Sequence, residues 1–404
     1  MLLLNAATGE DYACTDLDQG SAESQHSYID HKQIRVDAMY AARLLRDARL
    51  FDSDLQKALD IFAERILRTG IPEPHVKNIG SWFYRMFLRD ARQQADIAAH
   101  RNQAIGKNGM KIVSNVVLNS RQRQLASQRR YIERQEMVYQ DEHGQEICIP
   151  FADLCNSPER RAAKHYVRAL GLEKFCNGLD LCGFFLTLTL PPEYHPNPSV
   201  GKNSWSGLTA AQGHKEMQKR WRTFQRRFGK TIGIRVEEQH SDGCVHWHAL
   251  VWITADRADE LRQKLEKYFG KAPAIKIVTI DLSKASAATY LMKYLLKATG
   301  AEHSSMDDDL RSTSACSDAH RATWGGKSIT FFDVKGSSSI WDELRRIKSD
   351  SPQYLQLSHD GKELHKTATE NRYRDFLMNL QTMNAGIDIA CKPLYVQTES
   401  PRKF

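Results

Sequence analysis

Residues 231–253 read TIGIRVEEQHSDGCVHWHALVWI, which is two strand-like segments on either side of an Asp-Gly pair. Asp-Gly between two such segments is a strong signal for a β-hairpin. The returning strand carries His246 and His248, which share one face because successive side chains of a strand alternate. Their separation of roughly 6.5 Å allows both imidazoles to hold one cation.

A catalytic metal site normally takes a third protein ligand and leaves other positions open. The first strand of the hairpin offers Glu237, Glu238 and Gln239. A two-residue loop would place Glu237 and Gln239 on the histidine face, whereas a three-residue loop with a left-handed Gly243 would place Glu238 there. The register therefore leaves both carboxylates open. Two imidazoles and one carboxylate suit Mn²⁺ or Mg²⁺, although Zn²⁺ would bind more tightly in vitro.

A helix is predicted over residues 284–298. At about 100° per residue, its polar sector holds two phenols and two ammonium groups: Tyr290, Lys293, Tyr294 and Lys297. Its apolar sector lies opposite and contains Leu291, Met292, Leu295 and Leu296. Core tyrosines would share the leucine face, so this segregation predicts two phenols presented outside the core.

A phenol beside a metal and lysines has a definite chemistry. Lysines favour the phenolate and neutralise phosphate oxygens, and a divalent cation polarises a phosphate for in-line attack. A tyrosine that attacks DNA forms a phosphotyrosyl ester, which keeps the bond energy for later rejoining. The alternative reading of a histidine on a strand is a hydrogen-bonded core residue, and His-x-His alone occurs in many unrelated metal sites.

Outward from the hairpin, the chain predicts at least five mostly antiparallel strands with packed helices, an α+β fold. We divide it into a mainly helical region 1–175 that includes a basic run at 120–134, a strand-rich domain 176–348 that carries the hairpin and the tyrosine helix, and a polar, helical extension 349–404. A helix is expected from Pro158 to about Leu170, capped by Ser157 or Asn156 and ended by Gly171.

The strand at 184–190 alternates strictly, which predicts Leu186, Leu188 and Leu190 in the core and the intervening threonines on the other face. Two strand threonines and two arginines of the helix at 209–228 are candidate DNA contacts: Thr187, Thr189, Arg226 and Arg227. The aromatic residues of that helix are predicted to lie in the core.

Composition sets the remaining bounds. A net charge of +8 and a pI near 9.0 favour a polyanionic partner. Eight scattered cysteines without a Cys-x-x-Cys pair indicate a reducing compartment. No apolar run approaches the roughly 20 residues of a membrane span, and Met1–Leu4 lacks the basic flank of a signal peptide. We therefore expect a cytoplasmic protein.

Three motifs together resemble the HUH endonucleases, and among them the two-tyrosine replication initiators of phages, the replication gene A protein group. The motifs are FLTLTLP at 185–191, RVEEQHSDGCVHWH at 235–248, and YLMKYLLK at 290–297. The group's Glu-x-His-x-Asp-Gly-x-x-His-x-His spacing implies Glu238 as the third ligand. Gln239 and Val245 stand where the group commonly has proline, and Ala298 stands where it often has asparagine.

The resemblance implies a central antiparallel sheet and a site-specific DNA nickase and strand-transferase that starts rolling-circle replication. Tyr290 or Tyr294 would attack single-stranded or supercoiled origin DNA, free a 3′-OH and stay attached to the 5′ phosphate. A host replicative helicase is the implied partner, in a phage-infected or prophage-carrying bacterium. The alternatives are a relaxase or single-strand transposase of the same superfamily, and a basic DNA-binding protein without catalysis.

Overall fold

A computed structural model describes residues 28–47, 68, 70, 79–140, 143–229, 231–281, 286–299 and 308–385. Much of the region 1–175 before residue 79, including the apolar start of the chain, and the end of the 349–404 extension lie outside these residues. No described helix is long and apolar enough to cross a bilayer.

Helices dominate both ends of the described chain. They are α1 (His31–Asp47), α2 (Ile79–Arg101), α3 (Asn115–Glu133), α4 (Phe151–Leu154), α5 (Pro158–Asn177), α6 (Ala210–Phe228), α7 (Ala258–Phe269), α8 (Ala287–Thr299), α9 (Asp308–Trp324), α10 (Ser337–Leu344), α11 (Pro352–Leu355), α12 (His359–Thr369) and α13 (Tyr373–Ala385).

The strands form two sheets. They are β1 (Glu136–Gln140), β2 (Glu146–Pro150), β3 (Cys182–Thr189), β4 (Ile232–Gln239), β5 (Val245–Ile253), β6 (Ile275–Thr279) and β7 (Ile329–Phe332). Strands β1 and β2 pair alone, and the other five form one antiparallel sheet in the order β6-β3-β5-β4-β7. The α+β fold with a five-stranded antiparallel sheet is therefore confirmed.

The turn between β4 and β5 decides which carboxylate meets the histidines. Gly243 adopts a left-handed φ of +79°, and the amide of His240 donates to the carbonyl of Cys244 at 2.8 Å. This is the three-residue loop, with Gly243 in the conformation that glycine adopts at least cost. Glu238 consequently pairs with His246 and lies on the histidine face.

The central sheet is buried on both faces. One face packs under α6 and α7, where Leu186 and Leu188 are fully buried together with Trp247. The other face holds Leu250 and Trp252, which pack with the leucines of α8 and with α5, α10, α12 and α13. The predicted core face of β3 is thus confirmed. Strand β5 is buried along its whole length, as expected for a central strand.

Helix α5 runs further than the sequence indicated. Ser157 caps it by accepting from the Arg160 amide at 3.2 Å, as predicted, but the helix continues through Gly171 to Asn177. The predicted stop at Gly171 is wrong because this glycine serves packing: a Cβ there would lie 2.6 Å from Cβ of Tyr373. The missing side chain lets α13 approach α5 closely.

Two further elements differ from expectation. The β1–β2 hairpin lies in a region predicted to be helical, and α9 was not predicted at all. Strand β1 is exposed at every residue, so no buried face imposed a readable alternation on its sequence. Helix α9 carries few large apolar residues and contacts α2, α3 and α8.

The segment between α2 and α3 lies against the β4–β5 turn. The amide of Ile112 donates to the carbonyl of Ser241 at 2.7 Å, and the Asn197 side-chain amide donates to the carbonyls of Ile105 and Lys107. Helix α5, which crosses the proposed boundary at residue 175, packs against the sheet and α8. The division into three regions remains a proposal.

Candidate metal and tyrosine site

Three side chains converge at the turn end of β4 and β5. The Nε2 atoms of His246 and His248 are 2.9 Å apart, and Oε2 of Glu238 lies 3.4 Å from the first and 3.1 Å from the second. These residues form the one group of at least three potential ligands found among the described residues. Register explains the convergence, since Glu238 is directly opposite His246 and His248 is two residues further along the same face.

The geometry of this group fits a divalent cation. Ligand atoms bound at about 2.1 Å lie about 3.0 Å apart at adjacent octahedral positions and about 3.4 Å apart at tetrahedral ones. The three observed separations fall in that range. Imidazole nitrogen and carboxylate oxygen are donors that Mn²⁺, Mg²⁺ and Zn²⁺ accept, and a three-residue set leaves positions for substrate and water.

The carboxyl group of Glu238 is held ionised. Burial opposes its charge, but hydrogen bonds with His246 and His248 and the positive charge of Lys297 outweigh burial and hold its pKa far below the usual range. Burial lowers the pKa of His248, against the opposing effect of Glu238, so this imidazole is neutral at physiological pH. A negative carboxylate and a neutral imidazole are the forms that bind metals.

Helix α8 places the predicted tyrosines beside this group. Leu291 and Leu295 are fully buried and anchor the helix, each contributing roughly 1.5–3 kcal/mol of burial free energy. The ring of Tyr294 stacks on His248 with a centroid distance of 4.0 Å and an interplanar angle of 28°. Tyr290 is exposed, as predicted, whereas Tyr294 is half-buried and packs against the cluster that contains Leu291 and Leu295. The side chain of Met292 lies outside the described residues.

The two tyrosines occupy different environments. Tyr294 is partly buried, and burial together with Glu238 raises the pKa of its phenol. Tyr290 is 43% exposed, one helical turn away. Phe185 of β3 contacts both rings, with centroid distances of 6.0 Å to Tyr294 and 6.3 Å to Tyr290. An aromatic surface therefore connects the ligand histidine to the outer phenol.

The lysines of α8 are also placed differently. Nζ of Lys297 lies 3.0 Å from Oε1 of Glu238, on the oxygen that does not face the histidines. Lys293 is exposed at the mouth of the site. A hydrogen bond from Lys111, and further the charges of Lys297 and Lys293, lower the pKa of the Asp309 carboxyl.

The strand threonines lie on the histidine face, as their register requires. Thr187 pairs with His248 and Thr189 with His246 across β3 and β5. Oγ1 of Thr187 is 3.2 Å from Nδ1 of His248. Since Nε2 of that ring points at Glu238, a proton on Nδ1 donated to the threonine fixes the tautomer with its lone pair toward the ligand group.

The predicted arginine contacts lie elsewhere. Arg226 and Arg227 are exposed on the last turn of α6, which packs on the sheet face opposite α8. The structure therefore does not bring them together with the tyrosines. Their contact with DNA stays a prediction.

Sequence reasoning missed three side chains around the site. One is Phe185, which strand alternation places beside Thr187. Another is His240, whose ring is 4.2 Å from that of His246 and whose pKa is lowered to about 3, first by burial and then by His246. Its position two residues after Glu238 was a readable signal. The third, His195, lies 2.9 Å from Asp242, and no local pattern indicated this contact.

The neighbouring carboxylate, Glu237, faces the other side of β4. It is buried, with Oε2 3.1 Å from Nδ1 of His214 and accepting from the Trp247 indole at 3.2 Å. A Cβ on Gly326 would lie 2.1 Å from its Oε1. Glu237 is thus enclosed by packed groups, which removes it from the histidine pair.

Comparison with known proteins finds similarity to replication proteins of phages and prophages. The chain is 28% identical over 290 residues to the replication protein of Haemophilus phage HP1, covering 66% of this chain and 37% of that protein. It is 27% identical over 265 residues to the replication gene A protein of Escherichia phage 186, covering 59% and 38%. A protein from Salmonella typhi described as a probable replication endonuclease is 20% identical over 353 residues, covering 80% and 42%.

The chain spans about two fifths of the length of these relatives. No solved structure matches it. The family model of the bacteriophage replication gene A protein matches residues 78–301, more than half of the 404 residues and a range that includes the hairpin and the tyrosine helix. The chain therefore belongs to the bacteriophage replication gene A protein family.

Proposed function

We propose that this chain is a metal-dependent, site-specific single-strand DNA endonuclease and strand-transferase of the HUH type. It starts rolling-circle replication by nicking origin DNA and remaining covalently attached to the 5′ phosphate. The observation that carries the proposal is the stacking of Tyr294 on His248 within the Glu238–His246–His248 group. A phenol nucleophile and a cation site are then adjacent, as attack on a phosphodiester requires.

Tyr294 is the better placed of the two nucleophiles. Its ring contacts a ligand histidine, whereas Tyr290 contacts the site through Phe185. Burial and the charge of Glu238 keep its phenol protonated in the absence of a cation, because both raise its pKa. Neutralisation of Glu238 removes part of this penalty, so the phenolate becomes accessible when the ligand group is occupied.

The proposed reaction is a transfer of the DNA phosphate to Tyr294, assisted by the two lysines of α8. The phenolate oxygen of Tyr294 bonds to phosphorus, the bond from phosphorus to the 3′ oxygen breaks, and that oxygen leaves as a 3′-OH after taking a proton from solvent. Lys293 is exposed at the mouth and neutralises phosphate oxygens. Lys297 holds the second oxygen of Glu238. Tyr290, one turn away, accepts the next strand in a second transfer.

The donor set indicates which cofactor to expect. His246, His248 and Glu238 would hold Mn²⁺ or Mg²⁺, which when bound polarises the scissile phosphate. The names of the relatives support a role in phage DNA replication and, for the Salmonella protein, an endonuclease activity. A host replicative helicase is the partner that such a nick would require.

A covalent-adduct assay tests the proposal. The full chain is incubated with Mn²⁺ and a labelled library of random-sequence single-stranded DNA, and adducts that survive denaturing gel electrophoresis are counted. We expect wild type to trap DNA through its 5′ phosphate, and sequencing of the trapped strands to reveal one preferred site. Tyr294→Phe should remove most of the adduct and the Tyr290→Phe/Tyr294→Phe double variant all of it.

The matched control is Tyr268→Phe, which removes a half-buried phenol from α7 on the other sheet face. It should leave adduct formation unchanged. An undiminished adduct in the double variant would show that neither tyrosine is the nucleophile. Equal adduct formation with EDTA and with Mn²⁺ would exclude the metal-dependent mechanism.

A further inference from the structure

Helix α3 extends away from the packed body of the protein. Its first turn is buried through Val117 and Ser120, and it contacts α2 and α9 there. From Gln122 onward nearly every residue is exposed, including Leu125 and Tyr131. About half of a 19-residue helix is therefore presented to the surroundings.

The exposed part of α3 carries a stripe of arginines. Arg123 and Arg130 are seven residues apart, so they share one face and are separated by about 10.5 Å along the axis. Both are exposed, and neither forms an ion pair within the described part of the chain. Glu133 is the one acidic residue of the helix. Arg129 adds a further positive charge on the adjoining face.

Neighbouring helices strengthen the positive charge at the base of this stripe. Nε2 of His31, at the start of α1, lies 2.8 Å from Oγ of Ser120. Burial and the charges of Arg92, Arg123 and Arg35 together lower the pKa of His31 to about 4, against the opposing charge of Asp30. Guanidinium groups from α1, α2 and α3 thus act on one point, where Asp30 is the carboxylate that opposes them.

We propose that this arginine face of α3 binds the phosphate backbone of double-stranded DNA beside the nicking site. The proposal rests on the proposed function for the identity of the substrate, but the surface is separate from the tyrosine site. Arginines on one helix face make sequence-independent phosphate contacts, which position a duplex without reading it. The hydroxyl of Ser127, which lies on the same face between them, is a further hydrogen-bond donor to phosphate.

Helix order sets the reach of this contact. Helix α9 contacts α8 on one side and α3 on the other. Two successive helix packings of 8–10 Å place the axes of α3 and α8 within about 16–20 Å of each other. At 3.4 Å per base pair this is the length of about five or six base pairs. The arginines lie further along α3, beyond the part that packs. The contact therefore falls on DNA that flanks the nick.

The salt dependence of binding tests the proposal. Fluorescence anisotropy of the full chain with a random-sequence duplex longer than one helical turn is measured over a salt series, without metal. The Arg123→Ala/Arg130→Ala variant should bind more weakly, and the slope of log K against log salt should decrease in magnitude by about two, one unit for each lost phosphate contact. Arg123→Glu/Arg130→Glu should weaken binding further.

The control removes the same charge from another exposed helix, as Arg262→Ala/Lys267→Ala on α7, and should leave the slope as in wild type. A slope unchanged in the α3 variants, or reduced equally in the control, overturns the proposal. Adduct formation on single-stranded DNA separates the two hypotheses. The α3 variants should retain it, whereas its absence from wild type would contradict the proposed nickase and leave the duplex measurement intact.

Discussion

The two faces of strand β4 carry two carboxylate–histidine groups that differ in accessibility. Glu238 meets His246 and His248 beside a helix that presents tyrosines. Glu237 meets His214 and is closed by Trp247 and Gly326. The two adjacent glutamates therefore differ in role. Strand alternation directs Glu238 to an accessible site and Glu237 into the packed interior.

This difference shows what makes such a group a candidate for chemistry. At Glu238 three donor atoms point at one another within 3.4 Å and a phenol lies beside them. At Glu237 one oxygen already accepts from an indole and faces an imidazole. Histidine and carboxylate alone are insufficient. Convergence of donor atoms and access for a substrate distinguish the two groups.

The largest expected effect separates the groups by activity. His248→Ala removes one of three ligands and the ring on which Tyr294 stacks, so adduct formation should fall by more than the 10- to 100-fold that loss of an outer-shell partner causes. His214→Ala is the matched change in the enclosed group of Glu237 and His214, which we call the closed group. It should lower the thermal midpoint while adduct formation per folded molecule stays at the wild-type level. Equal activity losses in both variants would contradict the comparison.

The next prediction concerns the closed group. Gly326 has a φ of +108°, and a Cβ there would lie 2.1 Å from Oε1 of Glu237 and 2.8 Å from Cε1 of His214. Backbone strain combined with this clash should make Gly326→Ala cost about 3 kcal/mol of unfolding free energy. Urea denaturation measures the change. Gly207→Ala, also at positive φ but with open space around it, is the control and should cost less.

A smaller effect is expected when the hydroxyl group that contacts His248, in the group of Glu238, His246 and His248, is removed. Thr187→Val removes the hydroxyl at 3.2 Å from Nδ1 of His248 and keeps the side-chain volume. Loss of this support should weaken Mn²⁺ binding about tenfold, as measured by isothermal titration calorimetry. Thr189→Val is the matched control, because within the described part of the chain Thr189 forms no side-chain hydrogen bond with His246 or His248. An equal loss in the two variants would show that Thr187 has no special role.

The smallest effect is a pH dependence of the free energy of unfolding, caused by two buried histidines. Burial lowers the pKa of His100 to about 4, partly opposed by Asp242, and burial lowers that of His320 further. Both rings therefore stay neutral in the folded state while the unfolded chain takes up protons near pH 6.5. The contribution of these two histidines to the free energy of unfolding is therefore fully present above that pH and decreases as the pH falls toward 4.

For His100 alone, the unfolding free energy should drop by about 0.7 kcal/mol between pH 7 and pH 6. Urea denaturation at the two pH values measures this drop. His100→Gln cannot take up a proton there, so its drop should be smaller than that of wild type. A drop of the same size in the variant would show that His100 does not contribute.

Local patterns predicted the parts of the fold and site that depend on local geometry. Alternation placed Leu186 and Leu188 in the core, and helical periodicity predicted the exposure of Tyr290 but not the partial burial of Tyr294 against the leucine cluster. The hairpin was predicted but its register was open, because Asp-Gly suits two loop lengths. The left-handed Gly243 selected the three-residue loop, and this placed Glu238.

Contacts between residues that are distant in the sequence could not be predicted from these local patterns. The expected end of α5 at Gly171 was wrong. The sequence does not distinguish a glycine that is needed for close packing against Tyr373 from one that ends a helix. His195 reaches Asp242 from 47 residues away, and no periodicity links them. The β1–β2 hairpin is exposed, so burial left no alternating signature in its sequence.

The bond between Ile112 and Ser241 has a consequence for dissecting the protein into fragments. Ile112, Asn197 and the loop before α3 hold the turn that sets the register of β4 and β5. A fragment cut at residue 115 would keep every proposed ligand and both tyrosines, yet would lose the segment that rests on Gly243. A fragment intended to isolate the sheet should therefore begin before α2.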